Sequence, residues 1–504
     1  MGNTSRAKPS DQTGELVLRL IVIIYLVLGA LYATLTPAWQ VPDEPAHFNY
    51  VTYVAENRRM PELRLGDYPQ AYLEELKARR FPPTMSIEPI RYESYQPPLY
   101  YMLAALVYSV TRALFAWPMP LTLRAFSLLL GAATLMVSYR LVRAIYPEEP
   151  ILALGTVAFA ATLPMHVAIT AGVNNDVLVE LLVTLIIGRL VAMGPNDWTT
   201  RRTFGLGALL GLAFLAKIWA YIAGGVAIFA LFWDAWQSRH SGAPLTWRRA
   251  LQCAGLMLGV AALIASPWLA HNAMVYGPRD PLGLARHDQV VAGQLTTRQY
   301  IAQHGLQALL RDFLLTSFRS FWGQFGWMGV LLDERIYLAL ALLSLLAFSG
   351  LALYGIRVIR GTKRISPQAK RGLALLAVWA LLTVAGYIGY NTKYVQHQGR
   401  YLFFAIVPWG LGFTLGLREL FHSRPALPLA LLGLLAGALL IWGLVARDIK
   451  WYSIALVGLA AIGYTACRWL ERLRSGVPMA LLYSGMAILS IICLQIYIVP
   501  ALRS

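Results

Sequence analysis

The chain has 504 residues, of which 58% are hydrophobic and 13% charged, with a mean hydropathy of +0.55. Soluble domains carry about 25% charged residues, so this deficit, together with repeated apolar runs of about twenty residues, excludes a soluble globular protein and places one large domain in a bilayer. The net charge of +18 does not indicate nucleic acid, because the basic residues cluster between apolar runs, as cytoplasmic loop charges do, rather than forming a stripe interleaved with aromatics.

The chain opens with a short polar segment carrying Arg6 and Lys8, followed by the apolar run Leu16 to Leu35. That run is too long for the core of a signal peptide and predicts a first span near 16–36, N-terminus inside. A polar stretch of roughly sixty residues follows, too long for a tight turn. It begins with Val41-Pro42-Asp43-Glu44-Pro45-Ala46-His47-Phe48-Asn49-Tyr50, which puts two adjacent carboxylates and a histidine where a span meets water. In so apolar a chain, ionisable groups at that place point to function. Phe48, Val51, Val54 and Ala55 then recur at helical spacing, and Ala71 to Arg80 does the same with Leu73 and Leu76 on one face. Both segments read as amphipathic helices on the membrane surface.

Gln96-Pro97-Pro98-Leu99-Tyr100-Tyr101 opens an apolar run to Trp117. If this run crosses, Arg140 and Arg143 fall outside and every later basic loop inverts. If it lies in the interface, Arg140/Arg143, Arg201/Arg202, Arg239/Arg248/Arg249, the cluster from Arg357 to Arg371, Arg418/Arg424 and Arg468/Arg472/Arg474 are all inside. The second reading is the consistent one, so 98–117 is taken as juxtamembrane and 37–120 as a first extracytoplasmic loop. Further spans are predicted near 121–142, 150–171, 176–194, 204–216, 219–236, 251–271, 336–356, 372–390, 401–417, 426–446, 452–467 and 478–499, about thirteen with the first. The pair around Lys217 is either two short spans meeting at the outer face or one broken helix. A second large outer loop, 272–335, holds Asp280, Asp288, Asp312, Asp333 and Glu334 with Trp322, Phe325 and Trp327. Residues 426–504 are almost featureless apolar helix and read as scaffold. Cys253, Cys467 and Cys493 lie within apolar runs and form neither a disulfide framework nor a metal spacing.

This topology gathers the unusual side chains on one membrane face, as a pocket at the lipid–water boundary requires. Asp43 can cap the helix that Pro45 begins, but a cap does not explain Glu44 beside it or His47 one turn on. Asn174-Asn175-Asp176 reads as a turn into a helix, with Asp176 as cap or as a second acid. Lys217 is either a lysine snorkelling at a helix end or a point charge for phosphate. Arg400, between Gly399 and Tyr401, has the geometry of a bidentate anion ligand. Arg124, near the outer end of its span, is a phosphate ligand or the partner of a carboxylate. His166, after Pro164, reads as a satisfied core histidine.

Four local motifs carry a family resemblance: Asp43-Glu44-Pro45-Ala46-His47-Phe48, Gln96-Pro97-Pro98-Leu99-Tyr100-Tyr101, Asn174-Asn175-Asp176 and Gln398-Gly399-Arg400-Tyr401-Leu402. Together they resemble the GT-C superfamily of membrane glycosyltransferases, in the branch of protein O-mannosyltransferases and the lipid A aminoarabinose transferase. The likeness covers about the first 240 residues well and the last 100 hardly at all. Many relatives carry Lys or His where this chain has Gln96. The resemblance implies an all-α polytopic GT-C fold and a sugar donor carried on polyprenyl phosphate, used at the extracytoplasmic face of the plasma membrane. The acceptor would be a glycan, a lipid or a protein hydroxyl. It implies an inverting transfer with Asp43 as base, Glu44 and Asp176 as further catalytic acids, and His47, Lys217, Arg400, Arg124, Gln96 and Tyr95 around the substrate and its phosphate. A divalent metal (Mg or Mn) on Asp43 and Asp176 is compatible with this but not required, since basic side chains provide the same neutralisation. The alternative from another class is a transporter or flippase of lipid-linked sugars.

Overall fold

Backbone polar groups inside a bilayer must be satisfied within the segment, and the apolar runs fold accordingly as helices. The computed structural model describes residues 9–114, 119–241, 245–422 and 426–503. Helix α1 (Pro9–Leu35) leads into three short helices, α2 (Glu44–Asn57), α3 (Gln70–Ala78) and α4 (Leu99–Leu114). The bundle continues through α5 (Met119–Ile145), α6 (Pro150–Thr162), α7 (Pro164–Thr170), α8 (Asp176–Ala192), α9 (Thr200–Phe214), α10 (Tyr221–Ser241) and α11 (Trp247–Tyr276). After α12 (Leu284–Val290) and α13 (Thr297–Trp322) come α14 (Glu334–Ile359), α15 (Pro367–Asn391), α16 (Ile406–His422), α17 (Ala426–Val445), α18 (Trp451–Leu473) and α19 (Val477–Ile492). Among the described residues ten helices are long and apolar enough to cross a membrane, eleven if α6 and α7 form one span. The chain is therefore a multi-pass integral membrane protein.

The expected count of thirteen spans is not reached on length and apolarity. Helices α8 and α9 have only 17 and 15 residues. Most of α8 is buried in protein, which is why it reads as apolar on all sides. The single span expected over 150–171 is broken: α6 and α7 meet at 67°. Pro164 has no N–H to give and its ring clashes with the preceding turn, so the helix cannot continue through it. The break steers Gly172 against Val41, where a Cβ would come within 2.6 Å of the valine side chain. That close approach sets Asn174-Asn175-Asp176 beside the start of α2.

Helix α4 is short. Its 16 residues span about 24 Å, short of a hydrocarbon core of about 30 Å. Tyr100, Tyr101, Ala104, Ala105 and Tyr108 are buried, and Tyr101 stacks on Tyr50 of α2 at 3.6 Å between centroids. Met102, Leu106 and Leu114 are exposed on its other face. Pro97 and Pro98 carry no N–H, and the first free one, on Leu99, donates to the Leu215 carbonyl at 2.8 Å. The Pro-Pro-Leu turn is thereby fixed two residues ahead of Lys217.

The second large loop is built around α13 and a small hairpin, Gln324–Phe325 paired with Val330–Leu331. It lies on the first loop. Trp327 donates to the Trp39 carbonyl at 2.9 Å and stacks on Phe81, while Leu63 is bonded through its N–H to Tyr276 and through its carbonyl to Arg286. The C-terminal helices return to the same end, where Tyr32 bonds the Ser490 carbonyl and Arg80 the Arg503 carbonyl.

Candidate active site

Beneath these two loops, at the ends of α8, α10 and α15, lies a cavity of about 540 Å³. Asp43, His47, Tyr95, Gln96, Asp176, Lys217 and Arg400 all line it. Residues far apart in the chain thus converge.

Asp43 occupies the N-cap position of α2, but its side chain makes no capping bond. Its backbone is left-handed (φ 68°), a conformation that costs a non-glycine residue of order 1–3 kcal/mol. In that pose the carboxylate turns into the cavity. Oδ1 accepts from the Tyr92 hydroxyl at 2.7 Å and Oδ2 from Arg400 Nη2 at 2.5 Å. Burial pushes this carboxyl up, but Arg400, His47 and Tyr92 together outweigh it and hold Asp43 well below its ordinary value.

Arg400 is the second residue of the 3-10 turn Gly399–Ala405 ahead of α16, is 7% exposed, and keeps its Nε buried without a partner. Lys217 is extended between α9 and α10 and turns inward rather than snorkelling. Its Nζ bonds Asn175 Oδ1 at 2.9 Å and Asp176 Oδ1 at 2.5 Å. Asp176 is the first residue of α8, with no side-chain cap at that end, so both its charge and that of Lys217 belong to the cavity wall. His47 shares a hydrogen bond of 2.8 Å with Tyr101. Burial first and the charge of Lys217 next bring its pKa down to about 3, so its ring is neutral at pH 7. Gln96 donates to the Tyr95 hydroxyl at 3.2 Å, and its Oε1 is buried without a partner.

Glu44 and Arg124 are brought to each other and not to the cavity. Glu44 is 0% exposed; its oxygens receive Arg124 Nε and Nη2 at 2.7 and 2.6 Å and the N–H groups of Trp39 and Val173. His166 is satisfied by the Ala160 carbonyl and Glu180 within the core.

Sequence reasoning missed Glu93, which lines the cavity from the irregular stretch before Gln96. No helical or alternating period marks that stretch. Its closeness to Pro97-Pro98-Leu99 was the available signal. Tyr92, also unmarked, holds Asp43 together with Arg400.

Among the described residues no three His, Cys, Asp or Glu side chains converge on one point. Asp43 and Asp176, the expected ligands, each face a basic side chain instead. Each carboxylate is thus neutralised by a cationic side chain of the cavity wall.

The helices and cavity define a polytopic, nearly all-α membrane protein. The crystal structure of ArnT from Cupriavidus metallidurans bound to undecaprenyl phosphate matches with a TM-score of 0.51 at 16% identity, over 97% of this chain and 77% of that one. ArnT in the apo state gives 0.53 at 16% identity, over 96% and 77%. The apo oligosaccharyltransferase of Archaeoglobus fulgidus gives 0.47 at 14% identity, over 92% and 59%. No protein-family model and no curated protein sequence matches the chain. The two likenesses to ArnT establish the fold.

Proposed function

We propose that the chain is an integral membrane glycosyltransferase that moves a sugar from a polyprenyl-phosphate donor to an acceptor hydroxyl, at the membrane face where its two large loops lie. The observation that carries this reading is a pair of cations, buried Arg400 and half-buried Lys217, on one cavity wall with the carboxylates Asp43 and Asp176. A leaving lipid phosphate gains charge as the glycosidic bond breaks, and fixed cations in a poorly hydrated site stabilise that charge most in the transition state. The guanidinium suits a phosphate's paired oxygens and still has an unpartnered N–H. Gln96 offers a neutral amide where many members of the family the chain resembles carry Lys or His, which leaves more of the neutralisation to Lys217 and Arg400. That ArnT is bound to undecaprenyl phosphate supports a lipid phosphate as the ligand class.

The transfer is a single displacement with inversion, and one base takes the proton of the attacking hydroxyl. Asp43, expected to be that base, has both oxygens engaged by Tyr92 and Arg400. We assign it the task of aiming the arginine. Asp176 does the same for Lys217. Glu44 and Arg124 hold the loop that presents Asp43.

The test is reconstitution in liposomes with a labelled polyprenyl-phosphate sugar and a membrane extract as acceptor source. Free polyprenyl phosphate should accumulate as label moves to the acceptor, and Arg400→Ala should slow this by roughly 10²-fold, as loss of a charge-stabilising donor does. Donor recovered intact on the opposite leaflet, with no free lipid phosphate, would mean transport and would sink the proposal.

A further inference from the structure

Three carboxylates line the cavity: Asp43, Glu93 and Asp176. Two are committed. Asp43 is bonded to Arg400, and Asp176 to Lys217. Glu93 forms no ion pair among the described residues, and its Oε2 is buried with no hydrogen-bond partner. It follows Tyr92, whose hydroxyl holds Asp43, and its carbonyl accepts the Gln96 N–H at 3.0 Å, in the turn that leads to Pro97-Pro98. Its backbone is therefore tied at one end to the Asp43–Arg400 pair and at the other to the turn fixed beside Lys217.

We propose that Glu93 is the general base of this site, taking the acceptor's proton, while Asp43 remains bound to Arg400. This rests on the glycosyltransferase reading above. In the step, the acceptor oxygen attacks the anomeric carbon and its proton passes to a Glu93 oxygen. The bond from that carbon to the phosphate oxygen breaks, and its electron pair leaves with the lipid phosphate toward Lys217 and Arg400. The proton is then lost to water.

The physical reason is the division of environments between the two acids. A carboxylate held against a guanidinium is a weak base, and a base is most effective when its pKa lies near the working pH. The groups facing Glu93 are Lys217, Asp43, His287 and Gln96, with the hydroxyls of Tyr92, Tyr95, Tyr101, Tyr390 and Tyr401 around them. Burial is the largest influence and raises the carboxyl. Lys217 opposes it, Asp43 adds to it, and His287 and Gln96 oppose it, leaving Glu93 at about 7. The base is the deprotonated form, so kcat/KM, which reports the free protein, should rise as pH rises through about 7 and level off above it.

The experiment uses the full chain in liposomes with the labelled polyprenyl-phosphate sugar and membrane-extract acceptor, together with binding of undecaprenyl phosphate alone. Glu93→Gln should lose roughly 10²-fold or more in transfer, lose the limb near pH 7, and still bind undecaprenyl phosphate within threefold of wild type. Glu93→Ala should regain part of its transfer with added formate, which a purely structural role would not allow. If Glu93→Gln transfers within threefold of wild type, or keeps the same limb, the inference is overturned while the parent reading stands. If Asp43→Asn rather than Glu93→Gln removes that limb, Asp43 is the base and the inference fails. A wild type that never consumes the donor removes both.

Discussion

At the scale of single residues, two arginines with like surroundings have different tasks. Every N–H of the Arg124 guanidinium is used. Nε and Nη2 bind Glu44, Nη1 binds the Ala33 and Thr36 carbonyls at 2.8 Å, and Nη2 also reaches the Pro37 carbonyl at 3.1 Å. Those carbonyls are the open end of α1, so one side chain closes that helix and fastens the start of α2 to it. Arg400 instead keeps an N–H in reserve at the cavity. Removing one partner of a buried ion pair strands the other, at a cost of about 3–5 kcal/mol. Arg124→Met should therefore lower the thermal unfolding temperature in detergent strongly, and Arg124→Lys should restore little, since an ammonium cannot span the same five bonds. A midpoint unchanged by Arg124→Met would show that the pair does not hold the loop.

At the scale of elements, the placement of Arg400 depends on a contact between helices. The N–H of Gly399 donates to Ser320 Oγ at 2.7 Å, and a Cβ there would lie 2.3 Å from the Ser317 carbonyl and 2.5 Å from the Phe321 nitrogen. Those atoms are the backbone of α13 and cannot give way. Gly399→Ala should push the 3-10 turn off α13 and carry Arg400 with it. Transfer should fall at least tenfold although no cavity side chain is changed, which the same liposome assay measures. The motif around Arg400 was legible in the sequence, but the role of its glycine was not, because that role lies in a helix some eighty residues away. The same division holds elsewhere. Apolar length announced α1, α5, α14 and α15, and helical spacing announced α2 and α3, whose Leu73 and Leu76 are indeed buried. Helix α13 was not announced, although Leu306, Leu310 and Leu314 recur at helical spacing; they face outward rather than into the core. Lys217 was legible as a charge at a helix end, while its turn toward Asn175 and Asp176, some forty residues earlier, is a contact that local sequence does not encode. Glu93 sits where the backbone has no period at all.

At the scale of the whole molecule, the two ends of the bundle differ in charge and in architecture. One end carries the cavity, both large loops and the last residues of the chain. The other gathers Arg357, Lys363, Arg418 and His422, with Arg357 and Lys363 on Glu419 and Arg418 on Glu149. Short loops rich in Lys and Arg stay in the cytoplasm, whereas long loops cross largely regardless of charge. The basic end should then be cytoplasmic and the cavity should open on the other side, where a lipid-linked donor would have to present its phosphate. Two exposed positions separate the cases: Leu65, 68% exposed in the first loop, and Thr362, exposed between α14 and α15. Cys253 and Cys493 are buried, so a Cys467→Ser background leaves little to label. In right-side-out vesicles a membrane-impermeant maleimide should label Leu65→Cys at once, and Thr362→Cys only after permeabilisation. If both react from outside, the helices between them do not form the barrier that the alternation of loops requires. If the order is reversed, Lys217 and Arg400 face the cytoplasm, and a donor displayed on the outer leaflet cannot reach them.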